Sequence, residues 1–321
     1  MLQYLIRRTL WAMVLFLVVT VVTYVIFFII PANPAQLVAG KSATPEDVRR
    51  AEKFLGLDQP VYVQYSRFLK RLVWEQSLGR SFATRQDVNT IVARAAPVTA
   101  SLVFGGAVLW LLISVPIGVM SALRPKSLLD RGAMTFVLIG ISAHPVWIGL
   151  ILAYTVGYKL GLAPISGYCD LINPSTSCGG PADWAWHMML PWMTFAFLFS
   201  ATYTRFIRAQ VMETLNEDYV RTARAKGAPE SRVIVQHVLR NALMTVVTIL
   251  GLDIGLALGG AIFTESVFGL PGLGQTAIES IFAYDLPIVQ GIVVFATLSI
   301  LTITLIVDCL YAWIDPRIRL T

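Results

Sequence analysis

The chain has 321 residues, 56% of them hydrophobic and only 14% charged, far below the roughly one quarter charged that soluble domains carry. This excludes an ordinary soluble enzyme or binding module and describes an all-α, polytopic membrane protein. The net charge of +6 does not indicate nucleic acid, because Lys and Arg flank the hydrophobic runs, where they orient a chain in a bilayer.

Arg7 and Arg8 precede an uncharged run over residues 9–30, long enough at about 1.5 Å per residue to cross a hydrocarbon core of about 30 Å. It is too long for a cleaved signal core of about 7–15 residues. Residues 31–97 then hold ten Lys or Arg and six Asp or Glu and read as a small soluble elaboration. Within it, Thr44-Pro45-Glu46-Asp47 predicts a helix start, and Leu57-Asp58-Gln59-Pro60 a turn into a second helix over residues 61–74. Span two is expected over residues 98–123, with Pro116 inside it. Span three covers 133–158 and contains His144-Pro145, where the histidine is either a ligand or proton carrier or a hydrogen-bonded interior residue.

The loop over residues 159–186 contains Cys169 and Cys178, which enclose eight residues. They predict a disulfide if the loop faces an oxidising compartment, since a metal site needs more ligands than nearby Asp170 and His187. Cys309 reads as a small apolar filler in a span. Span four, residues 187–206, has Trp184, Trp186 and Trp192 as interfacial anchors, with Arg205 and Arg208 at the other end.

Residues 213–242 form the one long charged stretch of the second half. Met212, Leu215, Tyr219 and Ala223 predict an amphipathic helix that stops at Lys226-Gly227. Pro229-Glu230 starts a second helix carrying Val233, His237 and Arg240. Such a pair docks on a soluble partner, lies among lipid headgroups, or simply connects two spans. Span five, residues 243–268, has Gly251, Gly255 and Gly259 every four residues, a bare stripe for close approach by a neighbouring span or a second subunit. Asp253 lies off that stripe and either lines a solute route or is protonated and hydrogen-bonded. Glu265 opens a run in which Gly269, Pro271, Gly272 and Gly274 predict a hairpin-like bend, followed by span six over residues 287–314. Six spans place both termini on one side. The short segments of that side hold fourteen basic residues and the opposite short loops only Lys159, so termini and helix pair are expected in the cytoplasm.

Several of these stretches resemble the permeases of ATP-binding-cassette importers, in their dipeptide and oligopeptide form. They are Tyr219-Val220-Arg221-Thr222-Ala223-Arg224-Ala225-Lys226-Gly227 with His237-Val238-Leu239-Arg240-Asn241-Ala242, Leu55-Gly56-Leu57-Asp58-Gln59-Pro60, Ser77-Leu78-Gly79-Arg80-Ser81, the run from Glu265 to Gly274, and Tyr284-Asp285-Leu286-Pro287. The ending from Asp308 to Arg317 is similar too. Arg221-Thr222-Ala223 stands where the general family has Glu-Ala-Ala, and His237 and Arg240 where Ile and Pro are usual, departures that themselves resemble the peptide branch. The resemblance implies a membrane-embedded permease of six helices, with residues 1–30 as N-terminus and first span, 31–97 as an extracytoplasmic loop and 98–321 as the core, including a coupling loop over 213–242. It implies coupling contacts at Tyr219, Arg221, Thr222, Ala223, Arg224, Ala225, Lys226, Gly227, His237, Arg240 and Asn241. Asp253, His144 and Glu265 are pathway candidates, and Pro271, Gly272 and Gly274 shape the outer bend.

No Gly-x-x-x-x-Gly-Lys-Ser/Thr is present, so ATP and Mg belong to partner subunits. The implied partners are a second homologous permease, two ATP-binding-cassette ATPase subunits or domains, an extracytoplasmic binding protein and membrane lipid, in a bacterial or archaeal cytoplasmic membrane. The implied solute is a di- or oligopeptide, with nickel and glutathione as the other solutes of related permeases. A rival is an ion-coupled transporter using Asp253, His144 and Asp308 as a proton relay, and another is a membrane scaffold or sensor.

Overall fold

A computed structural model describes residues 2–29, 34–39, 43–55, 58–171 and 178–314. The signals at Gly56 and Leu57 and the terminal Asp315-Pro316-Arg317 with Arg319 lie outside the described residues. Among those described, the architecture is helical throughout. α1 (Leu2–Tyr24) runs on into a π-helical turn, Val25–Ile29, and is followed by α2 (Pro34–Ala39), α3 (Pro45–Leu55) and α4 (Val61–Val73). The expected start of α3 is a reciprocal cap. The Asp47 N–H donates to Thr44 Oγ1 at 3.3 Å and the Thr44 N–H to Asp47 Oδ2 at 3.2 Å, satisfying two donors that the first helical turn leaves free.

α5 (Val88–Leu123) begins ten residues before the span expected at 98. Pro97 does not stop it, although that residue lies in the first third of a helix whose N-cap is Asp87; a proline is tolerated where packed neighbours satisfy the freed carbonyl. At about 1.5 Å per residue its 36 residues exceed any bilayer crossing, so the helix projects from the membrane at one end. It packs lengthwise on α8 (Pro181–Leu215). A Cβ at Gly106 would lie 2.6 Å from the Phe195 ring, and one at Gly118 would lie 2.9 Å from Ile207. The pairings advance in the same direction along both helices, so the two run parallel. Between them Trp110 stacks on Phe199 at 4.6 Å and meets Tyr203 and Phe195 at 5.6 and 5.7 Å, an aromatic core whose offset geometry favours ring contact.

The third expected span is not one helix. α6 (Leu128–Ser142) and α7 (Pro145–Leu152, continued as a π-helical stretch to Lys159) meet at 106°. Pro145 disfavours helical geometry at His144, whose backbone is extended and whose Nδ1 accepts the Val146 N–H at 3.3 Å, capping α7. Among the described residues, four helical stretches are long and apolar enough to cross a membrane, Ile6–Phe27, Val88–Leu123, Glu230–Ala257 and Leu286–Cys309, and the bent pair makes a fifth if it counts as one span. α8 is long enough, but Pro191, its tryptophans and its threonines dilute its apolarity.

The remaining elements are α9 (Asp218–Ala225), α10 (Glu230–Arg232), α11 (Arg240–Ala257), α12 (Ile262–Phe268), α13 (Leu273–Phe282) and α14 (Leu286–Ile314). A π-helical stretch, Val233–Leu239, joins α10 to α11 without a break. The glycine stripe of α11 faces α14 of the same chain. A Cβ at Gly251 would meet Val307 at 2.2 Å, one at Gly255 the Ile300 backbone at 3.2 Å, and one at Gly259 Ala296 at 3.1 Å.

Candidate functional site

The charged stretch folds into a corner differently built from its expected two-helix form. The helical pattern from Met212 to Ala223 is broken, because α8 ends at Leu215, Asn216 caps it, and Glu217 caps α9. The break turns α9, so Val220 becomes its buried anchor and Tyr219 is 41% exposed. Ala223 is half-buried and packs on the main core. The second member of the pair is no separate helix but the start of the rod that becomes α11, seated by the buried Val233 and Val238.

The turn between them is a left-handed helix end. Gly227 has φ +78°, its N–H donates to Arg224 O at 2.9 Å, and the Ala228 N–H reaches Ala223 O at 3.3 Å, the paired bonds of a Schellman ending. No atom lies within 4 Å of a Cβ built on Gly227. Glycine is needed here for its backbone conformation alone. Across the turn Arg224 grips Glu230 with both nitrogens, Nη2 to Oε1 at 2.6 Å and Nε to Oε2 at 3.2 Å. Asn241 Nδ2 donates to the Tyr219 hydroxyl at 2.7 Å, tying α9 to the first turn of α11. Arg221, Thr222, Ala225, Lys226 and Arg240 are left exposed, and His237 is half-buried. The arrangement is a solvent-facing basic knob rigidly mounted on a long membrane helix.

Beside it is a clamp that sequence reasoning missed. Arg208 of α8 donates to both carboxylate oxygens of Asp130, at 2.7 and 3.0 Å. Ser121 of α5 bonds the same carboxylate, and the Lys126 N–H reaches it at 2.8 Å. One carboxylate thus ties together the ends of α5, α6 and α8. The only sequence signal was Ser127-x-x-Asp130, a helix start that Ser127 caps with a 3.2 Å bond from the Asp130 N–H; nothing in it names Arg208.

At the opposite end of the helices, Glu265 is fully buried. It accepts hydrogen bonds from Thr99 Oγ1 at 2.7 Å, the Gln275 N–H at 2.9 Å and the Ala261 N–H at 3.3 Å. Thr99 in turn accepts from the Leu273 N–H at 2.8 Å. The bend through Pro271, Gly272 and Gly274 wraps this carboxylate. A Cβ at Gly272 would fall 2.4 Å from it, and one at Gly274 would meet the Ile262 backbone at 2.8 Å. A second buried carboxylate, Asp285, accepts from the Phe82 and Ala83 N–H groups at 3.0 and 3.1 Å and from the Ser81 hydroxyl. Two motifs some two hundred residues apart, ending in Ser81 and containing Asp285, are therefore the two halves of one joint. Nearby, Cys169 and Cys178 form a disulfide with Cα atoms 5.5 Å apart.

The structure does not assemble Asp253, His144 and Asp308. Asp253 accepts a 2.7 Å bond from the Tyr203 hydroxyl, His144 caps α7, and Asp308 pairs with Arg8, whose Nη2 donates to Oδ1 at 2.7 Å. Each of the three groups thus belongs to a separate partner set.

Residues 1–103 match the N-terminal domain of binding-protein-dependent transport system membrane components, and residues 114–320 the binding-protein-dependent transport system inner membrane component. The chain is 37% identical to the di/tripeptide transport system permease protein DppB of Pseudomonas aeruginosa, over 99% of each chain. It is 36% identical to the oligopeptide transport system permease protein AppB of Bacillus subtilis, covering 99% of this chain and all of that one. It shares a fold with an inward-facing form of the MetNI methionine ABC transporter at a TM-score of 0.55, with 15% identity over 70% of this chain and 96% of that one. Helical architecture, mounted corner and full-length similarity converge, and the chain belongs to the family of binding-protein-dependent transport system inner membrane components.

Proposed function

We propose that this permease forms half of the translocation pathway of an ATP-driven importer of di- or oligopeptides, driven through the corner at α9. The observation that carries this reading is mechanical. The exposed knob from Tyr219 to Gly227 is joined by the Tyr219–Asn241 bond, the Arg224–Glu230 pair and the buried Val220, Val233 and Val238 to a rod that enters the membrane without a break. A displacement of the knob therefore moves α11, and α14 packed against its glycine stripe, as one body. An alternating-access device needs such a bistable bundle, biased by differential contact at one end. Nucleotide and Mg are held by two separate ATPase subunits or domains seated on the knob, a second permease supplies the other half of the pathway, and an extracytoplasmic binding protein delivers the solute.

In this reading α8 is the fourth crossing and completes a set of six, termini and knob are cytoplasmic, and the disulfide and the two buried-carboxylate joints are outside. Residues 31–97 and 98–321 then act as outer elaboration and core. Of the three pathway candidates, Glu265 and His144 are taken up by local structure, whereas Asp253 accepts a single hydrogen bond and is half-exposed, and we place it beside the solute route. The peptide assignment follows the relatives named above.

The test reconstitutes the chain with its ATPase, second-permease and binding-protein partners and measures peptide uptake per ATP hydrolysed. A β-branched residue held in left-handed geometry costs about 1–2 kcal/mol. Gly227→Val is expected to lower uptake per ATP by roughly ten-fold with insertion intact, while Gly227→Asn, which tolerates that geometry, stays near the parent. Normal coupling in the valine variant, or uptake that follows a proton gradient without the ATPases, overturns the reading.

A further inference from the structure

Helix α4 lies in the segment that composition marks as a soluble loop, yet it packs on α1 and α14, two helices apolar enough to cross a membrane. Tyr65 hydrogen-bonds Thr20 at 3.0 Å, and Gln64 accepts from the Tyr24 hydroxyl at 3.0 Å. Tyr65 and Phe68 pack on the Tyr24 ring at 5.6 and 5.7 Å. Phe16 and Val294 belong to the same cluster. The apolar stretches of α1 and α14 that are long enough to cross a membrane are Ile6–Phe27 and Leu286–Cys309. At 1.5 Å per residue, Thr20 lies about 10 Å and Val294 about 12 Å inside those ends. The contacts thus fall inside two helical stretches that are each long and apolar enough to cross a membrane, about two turns from their ends.

The rest of α4 matches that position. With Phe68 turned toward α1 and α14, helical geometry puts Tyr62, Leu69 and Val73 on an adjoining apolar strip, Lys70 at the edge of that strip, and Arg67 and Arg71 across the helix from it. Tyr62 is 74% and Val73 56% exposed. Leu69, Lys70, Val73 and Trp74 line one shallow groove. Lys70 and Arg71 make no ion pair among the described residues. α1, on which α4 packs, likewise leaves Leu17, Val18, Val21 and Val22 exposed.

We infer that α4 is an interfacial helix bound to phospholipid, its Tyr62, Leu69 and Val73 strip in the acyl layer and Lys70 and Arg71 at the headgroup phosphates. A helix with one apolar face, a basic face and an aromatic end is built to lie in that layer. The inference holds whichever solute the chain moves. It makes α4 a lipid-held collar on the first crossing, so that this crossing is fixed by the bilayer as well as by the Arg8–Asp308 pair.

Nitroxide labels test it on the assembled transporter in lipid discs containing phosphatidylglycerol, with Cys309→Ala removing the free thiol. Labels at Tyr62→Cys and Val73→Cys, both exposed positions that tolerate a side-chain change, are compared with Arg67→Cys. Dissolved oxygen is expected to relax the first two more strongly than a water-soluble nickel chelate, with the order reversed at Arg67. Dominance of the nickel chelate at all three positions overturns the inference. So does shielding of Tyr62 and Val73 from both reagents only when the binding protein is added, which assigns the strip to that protein.

Discussion

The corner at Gly227 and the bend at Gly272, the inner and outer turns of the proposed orientation, are both helix–glycine–helix turns, and they are held by opposite means. At Gly227 a side chain would meet nothing within 4 Å, and the turn is kept by backbone geometry and a solvent-facing ion pair. At Gly272 it would strike a buried carboxylate at 2.4 Å. The inner turn leaves its surface free for a partner and can be displaced as a unit, whereas the outer turn is a filled joint closed on its own buried carboxylate. The difference teaches that glycine in a loop carries two separable demands, conformation and space. A sequence displays the same letter for both.

The contrast is broken most severely at the joint. Glu265→Ala removes the acceptor for three donors and leaves a void at a fully buried site. With about 1–3 kcal/mol for each buried group left unpaired and a cavity term besides, a loss of at least about 3 kcal/mol is expected. It is read as a lowered midpoint of thermal unfolding in lipid discs and as new protease cutting between α12 and α13. Gln in its place keeps the shape and part of the bonding and is expected to lose less than Ala. If alanine leaves both readouts at parent values, the bend is not organised by that carboxylate.

A smaller effect is expected at the three-helix clamp. Arg208→Ala strands the nearly buried Asp130, for which removal of one partner costs about 3–5 kcal/mol when a pair is fully enclosed. The Arg208 side chain retains 24% exposure and water reaches it, so about 2–3 kcal/mol is the expected loss, in the same unfolding measurement. The second change Asp130→Asn should recover part of it, because the stranded charge is then gone. A double variant no more stable than Arg208→Ala alone contradicts the clamp.

What the sequence made legible follows from the range over which each feature is decided. The Thr44 cap, the close packing at Gly251, Gly255 and Gly259, and the left-handed Gly227 are local patterns whose physics acts within a few residues, and each stands where it was expected. The outer bend was also visible from its glycines and proline, but its organiser was not, because Glu265 meets Thr99 across 166 positions. Arg208 with Asp130, Arg8 with Asp308, and Ser81 with Asp285 are likewise pairings that only the packed bundle brings together. Two misreadings have the same origin. Periodicity carried one helix through Asn216-Glu217 because the apolar spacing persisted across the break. Span three was drawn straight through His144-Pro145 because hydropathy does not register direction.

The smallest expected effect refines the comparison at its inner end. Arg224 and Glu230 are 41% and 56% exposed, so their pair, bidentate though it is, is worth about 1 kcal/mol or less and is screened by salt. Removing either side chain should leave unfolding almost unchanged, with a coupling energy below about 1 kcal/mol in a double-mutant cycle. Its role in the corner is to fix the angle between α9 and the rod of α11 rather than to stabilise the fold. The expected signature of Arg224→Ala is therefore a modest fall in uptake per ATP, partly reproduced in the parent by raising salt, without loss of assembly. Equal uptake per ATP in parent and variant at low salt would show that the Schellman turn and the Tyr219–Asn241 bond set that angle unaided.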